Sequence, residues 1–445
     1  MNKITLAVIS IFAIVNMTLS QSACFGGRYA SDVFSNYTQT SAIQYGQNNT
    51  WTGASQNLTL DFYEPSGDTL SARPLIIWTH GGSFLTGTSA DIDVATLSQR
   101  FAKKGFACAS INYRLGFFPV DSANAVKAVL RAVQDLKAAV RFFYKDCKTG
   151  TNAYKIDTNH IYIGGSSAGA ITSLHYAYMD SSCEVVPYIG QTNFNNLGGS
   201  EGNSGNPCYS TKIHGVINLC GALAKYWWGK PGSSAWVPLC SMHGTNDATV
   251  KYNRGIVNPG TPLLYLDGSR MLYEWELANG VPTSFYTFHG AGHVPYAGTG
   301  AAQLAYMDTT VNFVRDFLIK QLGCTDTILQ PANAPAQTAT LYPYTNCTTH
   351  STPNFCNGVG IQEFNASIIQ EIYPNPSDNQ ITISFSDKSN QYNIQLLDLS
   401  GRAIRSYTRV NNRLVINKDE LSEGIYTLKI TGADNTYSSA KIIFY

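Results

Sequence analysis

The sequence predicts an α/β protein, a mostly parallel sheet flanked by helices, followed by a small C-terminal Ig-like β-sandwich. Between Leu58 and Gly323, short apolar runs alternate with stretches of helical periodicity, the pattern of parallel strands joined by crossover helices. One run leads into Gly165-Ser166-Ser167-Ala168-Gly169, a tight turn that opens a helix. From Ile369 onward the texture changes to alternating apolar residues, Ile381, Ile383 and Phe385 among them, between turn residues, which reads as strands alone.

Strands are expected at Leu75 to Trp78, Ala107 to Asn112, Ile161 to Ile163, Val216 to Leu219, Leu239 to Met242 and Ser284 to Phe288. Asn57 to Tyr63 reads as an earlier strand at the antiparallel edge. Val126, Val129, Leu130, Val133, Leu136, Val140 and Phe143 recur at three- and four-residue steps, so a helix spans Ser122 to Lys145 with Ser122 as its cap. Further helices are expected from Ser269 to Asn279, ended by Gly280, and from Ala302 to Leu322 before Gly323. The Gly, Asn, Ser and Pro between Met179 and Lys212 suggest an insertion over the catalytic face. The expected organisation is a signal peptide over 1–20, a catalytic domain over 21–323, a linker over 324–368 and a β-sandwich over 369–445.

A net charge of +1, from 30 basic and 29 acidic residues, supplies no field for nucleic acid or an anionic membrane. Lys3 precedes an apolar run from Ile4 to Val15 and small polar residues to Ser20, the order of a secretory signal. The run is shorter than the roughly 20 residues of a membrane span, so no integral span is expected after processing, and the protein should be secreted or held at the outer surface. Ten cysteines in an exported chain permit disulfides. Local pairs are plausible for Cys183 with Cys208 and for Cys347 with Cys356, whereas Cys108, Cys220 and Cys240 sit in apolar runs that suit buried free thiols. No His or Cys cluster has zinc spacing, and no metal or other cofactor is expected.

The serine turn carries the sharpest chemical signal. Glycines two positions either side of Ser167 remove the Cβ atoms that would clash in strained backbone, and the hydroxyl then projects at a helix N-terminus. Ser166 is the rival nucleophile but lacks a glycine two residues on. A serine hydroxyl needs a base held by a third group, and in this arrangement the chain order is Ser, acid, His. Asp247 lies in His243-Gly244-Thr245-Asn246-Asp247 after one strand, and His293 in His289-Gly290-Ala291-Gly292-His293 after the next. His293 is preferred to His289 because it lies deeper in the glycine-containing loop. Oxyanion donors are expected from the amides of Gly82, Ser83 and Ala168, since His80-Gly81-Gly82-Ser83-Phe84 follows a strand directly. His80 itself reads as structural.

Together with Asn112-Tyr113-Arg114-Leu115-Gly116, these motifs resemble the carboxylesterase and lipase families of the α/β-hydrolase superfamily over about Leu58 to Gly323. The resemblance implies an α/β-hydrolase fold, a Ser167–His293–Asp247 triad working through an acyl-enzyme, and the oxyanion donors named above; many relatives have glycine where this chain has Ser83. Tyr373-Pro374-Asn375-Pro376, Asp398-Leu399-Ser400-Gly401-Arg402 and Gly424-Ile425-Tyr426-Thr427-Leu428 are similar to the C-terminal sorting domain of the type IX secretion system, which implies that machinery as a partner. The expected substrate is an ester: a small molecule, an acyl group on polysaccharide, or a polyester. Tyr188, Phe194, Trp227 and Trp228 are candidates for an aromatic wall. A prolyl-oligopeptidase-like serine peptidase is the alternative within catalysis, and a non-catalytic cholinesterase-like binding protein the alternative outside it.

Overall fold

The computed structural model describes residues 24–229, 237–258, 260–344, 369–385, 389–398, 402–432 and 437–445. They form two compact units, one ending at 344 and one beginning at 369. The signal segment 1–20 and the Cys347 and Cys356 pair lie outside them.

The first unit contains strands β1 (Tyr37–Asn49), β2 (Ser55–Pro65), β3 (Arg73–Thr79), β4 (Ala107–Ile111), β5 (Ile156–Ser166), β6 (Gly215–Leu219), β7 (Ala222–Leu223), β8 (Leu239–Gly244), β9 (Arg254–Ile256), β10 (Tyr265–Gly268) and β11 (Thr283–Phe288). Its helices are α1 (Ile92–Lys103), α2 (Ser122–Thr149), α3 (Ala168–Tyr178), the short α4 (Val186–Ile189) and α5 (Gln191–Asn196), α6 (Ser269–Ala278) and α7 (Ala301–Gln321). Eight strands make one sheet in the order β1-β2-β4-β3-β5-β6-β8-β11, antiparallel at the β1/β2 and β2/β4 pairings and parallel from β4 onward. Each central strand is buried on both faces, and the two-residue side-chain period splits it between two cores. Leu75 and Ile77 join Leu130, Val133 and Leu136 of α2 and Leu174 of α3; Ile76 and Trp78 join Leu97 and Phe101 of α1 and Val311 and Phe317 of α7.

Several expectations need correction. Asn57 to Tyr63 falls within β2, but the sheet edge is β1, whose mostly exposed Thr, Gln and Asn carry no apolar run to betray a strand. The α2 cap is Asp121, whose carboxylate accepts the Asn124 N–H at 2.8 Å, while the Ser122 hydroxyl donates to Leu263 O at 2.9 Å. Residues 324–344 do not behave as linker: Asp326 pairs with Arg315 at 2.9 Å, Asn333 Oδ1 accepts the Thr287 N–H at 2.7 Å, and the Tyr342 hydroxyl donates to Asp267 at 2.7 Å. A Cys24–Cys324 disulfide, between Cα atoms 5.9 Å apart and 300 residues apart in sequence, ties the start of this unit to the end of α7. Cys183 and Cys208 are also disulfide-bonded, and Cys108, Cys220 and Cys240 are buried free thiols as expected.

The second unit holds β12 (Ile369–Tyr373), β13 (Gln380–Phe385), β14 (Tyr392–Leu397), β15 (Ala403–Val410), β16 (Arg413–Asn417), β17 (Gly424–Gly432) and β18 (Tyr437–Phe444). Sheets β12-β13-β16 and β15-β14-β17-β18 are antiparallel and share one core. Alternate residues supply it: Ile381, Ile383 and Phe385 from one sheet, Ile394, Leu396, Leu428 and Ile430 from the other. Among the described residues of the chain, no helix is long and apolar enough to cross a membrane.

Candidate active site

Ser167 stands between the end of β5 and the start of α3 with φ 55° and ψ −116°, a backbone region that L-residues rarely occupy. The flanking glycines make this turn possible. A Cβ on Gly169 would lie 1.8 Å from Thr79 O, and one on Gly165 would lie 2.3 Å from the same oxygen, so only glycine lets the end of β3 pack against the turn. The Ser167 N–H donates to Leu219 O of β6 at 2.9 Å, anchoring the turn from its other side. Ser166 faces the opposite way, buried, with its hydroxyl 2.9 Å from the Tyr296 hydroxyl.

The loops after β8 and β11 lie against one another, with the Asn246 N–H donating to Ala291 O at 2.9 Å. That contact brings two residues 46 apart in sequence together: His293 Nδ1 is 2.6 Å from Asp247 Oδ2, and its Nε2 is 2.7 Å from Ser167 Oγ. His289 sits exposed at the turn leaving β11. Asp247 Oδ1 accepts the N–H groups of Thr249 and Val250, each at 2.9 Å, which holds the carboxylate plane. Burial alone raises the Asp247 carboxyl pKa, but hydrogen bonds from His243 and His293 overcome it and hold the group well below its ordinary range. His243, at the end of β8, carries no local sequence signal for a role beside the triad. Its Nε2 lies 3.2 Å from Asp247 Oδ2 and 2.9 Å from Val250 O, while its Nδ1 is 2.7 Å from Ser269 Oγ.

The loop after β3 supplies the opposite wall. Gly82, Ser83 and Phe84 have φ of 95°, 59° and 63°, three consecutive residues in the left-handed region. A Cβ on Gly82 would lie 2.0 Å from Thr86 O, whereas Ser83 takes its conformation despite carrying one. Gly82 and Ser83 share a recess with Ser167, and the Ala168 N–H opens α3, where first-turn amides lack intrahelical acceptors. His80 is structural: it stacks on Tyr113 with ring centroids 4.4 Å apart, its Nδ1 donates to Gly81 O at 2.8 Å, and burial lowers its pKa.

Two hollows meet at Ser167. One, about 360 Å³, is walled by Phe84, Phe117, Val129, Ile171 and Trp228 and reaches under the 179–212 insertion at Met179 and Tyr188. The other is more open and polar, bounded by His293, Asp91, Asp93 and Asn258. The insertion therefore covers the cleft as expected, but the aromatic wall is only half there. Tyr188 and Trp228 line the cleft, Phe194 is buried in the core, and Trp227 stacks on Tyr344 with centroids 5.3 Å apart. Among the described residues, no group of three or more His, Cys, Asp and Glu could hold a metal ion.

Residues 60–222 match the family model described as BD-FAE, and residues 371–444 match the secretion system C-terminal sorting domain. Human carboxylesterase 5A is 29% identical over 146 residues, 30% of this chain and 24% of that protein. The neuroligin-like protein glit-1 of Caenorhabditis elegans is 25% identical over 240 residues, 50% of this chain and 29% of that one. The chain thus spans about a quarter of the length of these curated relatives. Thermogutta terrifontis esterase 2, solved phosphorylated by paraoxon, superposes with a TM-score of 0.46 at 18% identity, over 64% of this chain and 95% of that one.

Proposed function

We propose that this chain, an α/β-hydrolase with a C-terminal type IX sorting domain, is an exported serine esterase that cleaves carboxylic esters through an acyl-enzyme. The observation that carries this reading is the unbroken relay from Ser167 Oγ through His293 to Asp247, with contacts of 2.7 and 2.6 Å. In it His293 takes the Ser167 proton as the hydroxyl attacks the ester carbonyl carbon. Asp247 fixes the tautomer with the proton on Nδ1 and stabilises the imidazolium that forms. The amides of Gly82, Ser83 and Ala168 hold the oxyanion, each contributing roughly 100- to 1,000-fold in rate. His293 then protonates the departing alcohol oxygen, and water repeats the sequence on the acyl-enzyme.

That proton transfer orients the substrate. The alcohol must leave beside His293, in the polar recess, which puts the acyl group in the apolar cleft under the insertion. Against the alternative of a non-catalytic cholinesterase-like binding protein stands the strained Ser167 aligned on the His293 imidazole at 2.7 Å. The full chain should release nitrophenol from acyl nitrophenyl esters, and Ser167→Ala should lower kcat by about a million-fold; turnover near the wild-type rate in that variant would overturn the reading.

A further inference from the structure

A second hollow lies on the far side of α2 from the ester cleft. Its volume is about 310 Å³, and Phe117 lines both. The helix itself is the partition: Ala125, Val126 and Val129 face the ester cleft, while Asn124, Lys127 and Arg131 face the second hollow. The two sites are therefore about 10 Å apart, the width of one helix with its side chains.

The lining of this hollow differs from that of the ester cleft in two respects. Asparagine amides crowd it, from β1, α2 and the 179–212 insertion, and two exposed aromatic rings flank them: Trp51 is 45% exposed and Phe118 70% exposed. Among the described residues it also contains cations and no carboxylate. Arg114 is satisfied by Asp135 at 2.8 Å, deep in the core. Arg131 is not comparably served. It is 4% exposed, its Nη2 donates to Gly116 O at 2.8 Å, and its Nε is a buried donor with no hydrogen-bond partner among the described residues. Lys127, one turn earlier on α2, hydrogen-bonds the Asn124 side-chain oxygen at 3.4 Å and forms no ion pair among the described residues. Burial, with Arg114 nearby, pushes the Arg131 guanidinium down to about 10. Asp135 offsets part of this, yet among the described residues no carboxylate forms an ion pair with Arg131; a buried cation without a directly bonded anion is costly, and a bound carboxylate would offset that cost.

We propose that this hollow binds a uronic-acid residue of an acidic oligosaccharide, with its carboxylate on Arg131 and Lys127, its hydroxyls on the asparagine amides, and its apolar ring face on Trp51. The aromatic rings fit the flat C–H face of a pyranose, the amides both donate to and accept from hydroxyls, and the cation pair selects an anionic sugar over a neutral one. Glycan binding stands apart from the esterase reading, because neither Ser167 nor His293 lines the hollow.

Calorimetric titration of the full chain carrying Ser167→Ala, with an oligogalacturonate and with a neutral xylo-oligosaccharide of equal length, tests it. The uronate should bind about tenfold or more tightly than the neutral glycan, with affinity falling as salt rises. Adding Trp51→Ala or Lys127→Ala, both at accessible positions, should weaken uronate binding by about fivefold or more, as should Arg131→Gln. In the otherwise wild-type chain, Trp51→Ala should leave nitrophenyl ester hydrolysis unchanged. Equal affinity for the two glycans, absence of uronate binding, or uronate affinity unaffected by both Trp51→Ala and Lys127→Ala would overturn the proposal. Failure of the esterase reading would show separately, as a wild-type chain that binds uronate but releases no nitrophenol.

Discussion

His243 and His293 converge on a single atom, Oδ2 of Asp247, at 3.2 and 2.6 Å. One imidazole reaches it from the end of β8 and the other from the loop after β11, so the carboxylate that orients His293 is itself oriented by a second histidine. Replacing His243 with alanine should lower kcat several-fold with KM little changed, and should cost about 1.5–3 kcal/mol of stability at neutral pH, the scale of a hydrogen bond to a charged group. Steady-state kinetics and thermal unfolding of His243→Ala would check both.

The same contact sets a pH dependence of stability. Because the Asp247 carboxyl is held below its ordinary value of 3.8 in the folded chain, its contribution is present in full above that value and is lost as pH falls below it. The stability gap between wild type and His243→Ala should therefore be widest at neutral pH and close on acidification below about 3.8. Urea unfolding at a series of pH values would show a gap independent of pH if this account were wrong.

Asp247→Asn should leave the fold intact and reduce kcat by about 10,000-fold, because an amide does not hold the His293 tautomer that accepts the Ser167 proton. His293→Ala in a Ser167→Ala background should lower activity little beyond either change alone, since the two groups act as one unit. Single and double variants assayed on one nitrophenyl ester would measure this.

The Ser166 and Tyr296 hydroxyls, 2.9 Å apart and both buried, clip the nucleophile turn to the loop that carries His293. Tyr296→Phe keeps the ring and removes the clip. It should cost about 1 kcal/mol in stability and a few-fold in kcat, with affinity for an unreactive substrate analogue unchanged. Kinetics together with analogue titration would separate positioning from general destabilisation.

Reduction of Cys24–Cys324, which closes a 300-residue loop, should lower stability by about 2–4 kcal/mol while leaving activity at low temperature. Thermal unfolding of a Cys24→Ser, Cys324→Ser variant would check it.

Much of the fold and of the candidate site was legible in the sequence because both rest on local chemistry. The parallel strands announce themselves as apolar runs, and the turn around Ser167 as glycines without which it would clash with Thr79 O. Ser–Asp–His order along the chain points to Asp247 and His293 from the sequence alone. The second unit was readable because alternation of period two appears wherever one face of a strand is buried.

What only the tertiary structure decided are relationships between residues that are each unremarkable where they stand in the chain. β1 is polar because it sits at an edge, and nothing local marks it as a strand. Cys24 meets Cys324, His243 meets Asp247, Ser166 meets Tyr296, and residues 324–344 pack on the rest of the first unit through Asp267, Thr287 and Arg315. Arg131 lies on a helix face where the seven-residue apolar pattern marks only the other side, so its missing partner shows only once the surrounding loops are in place. Periodicity and turn chemistry act over a few residues, whereas these contacts depend on how distant segments are brought together, and that is set by packing of the whole core.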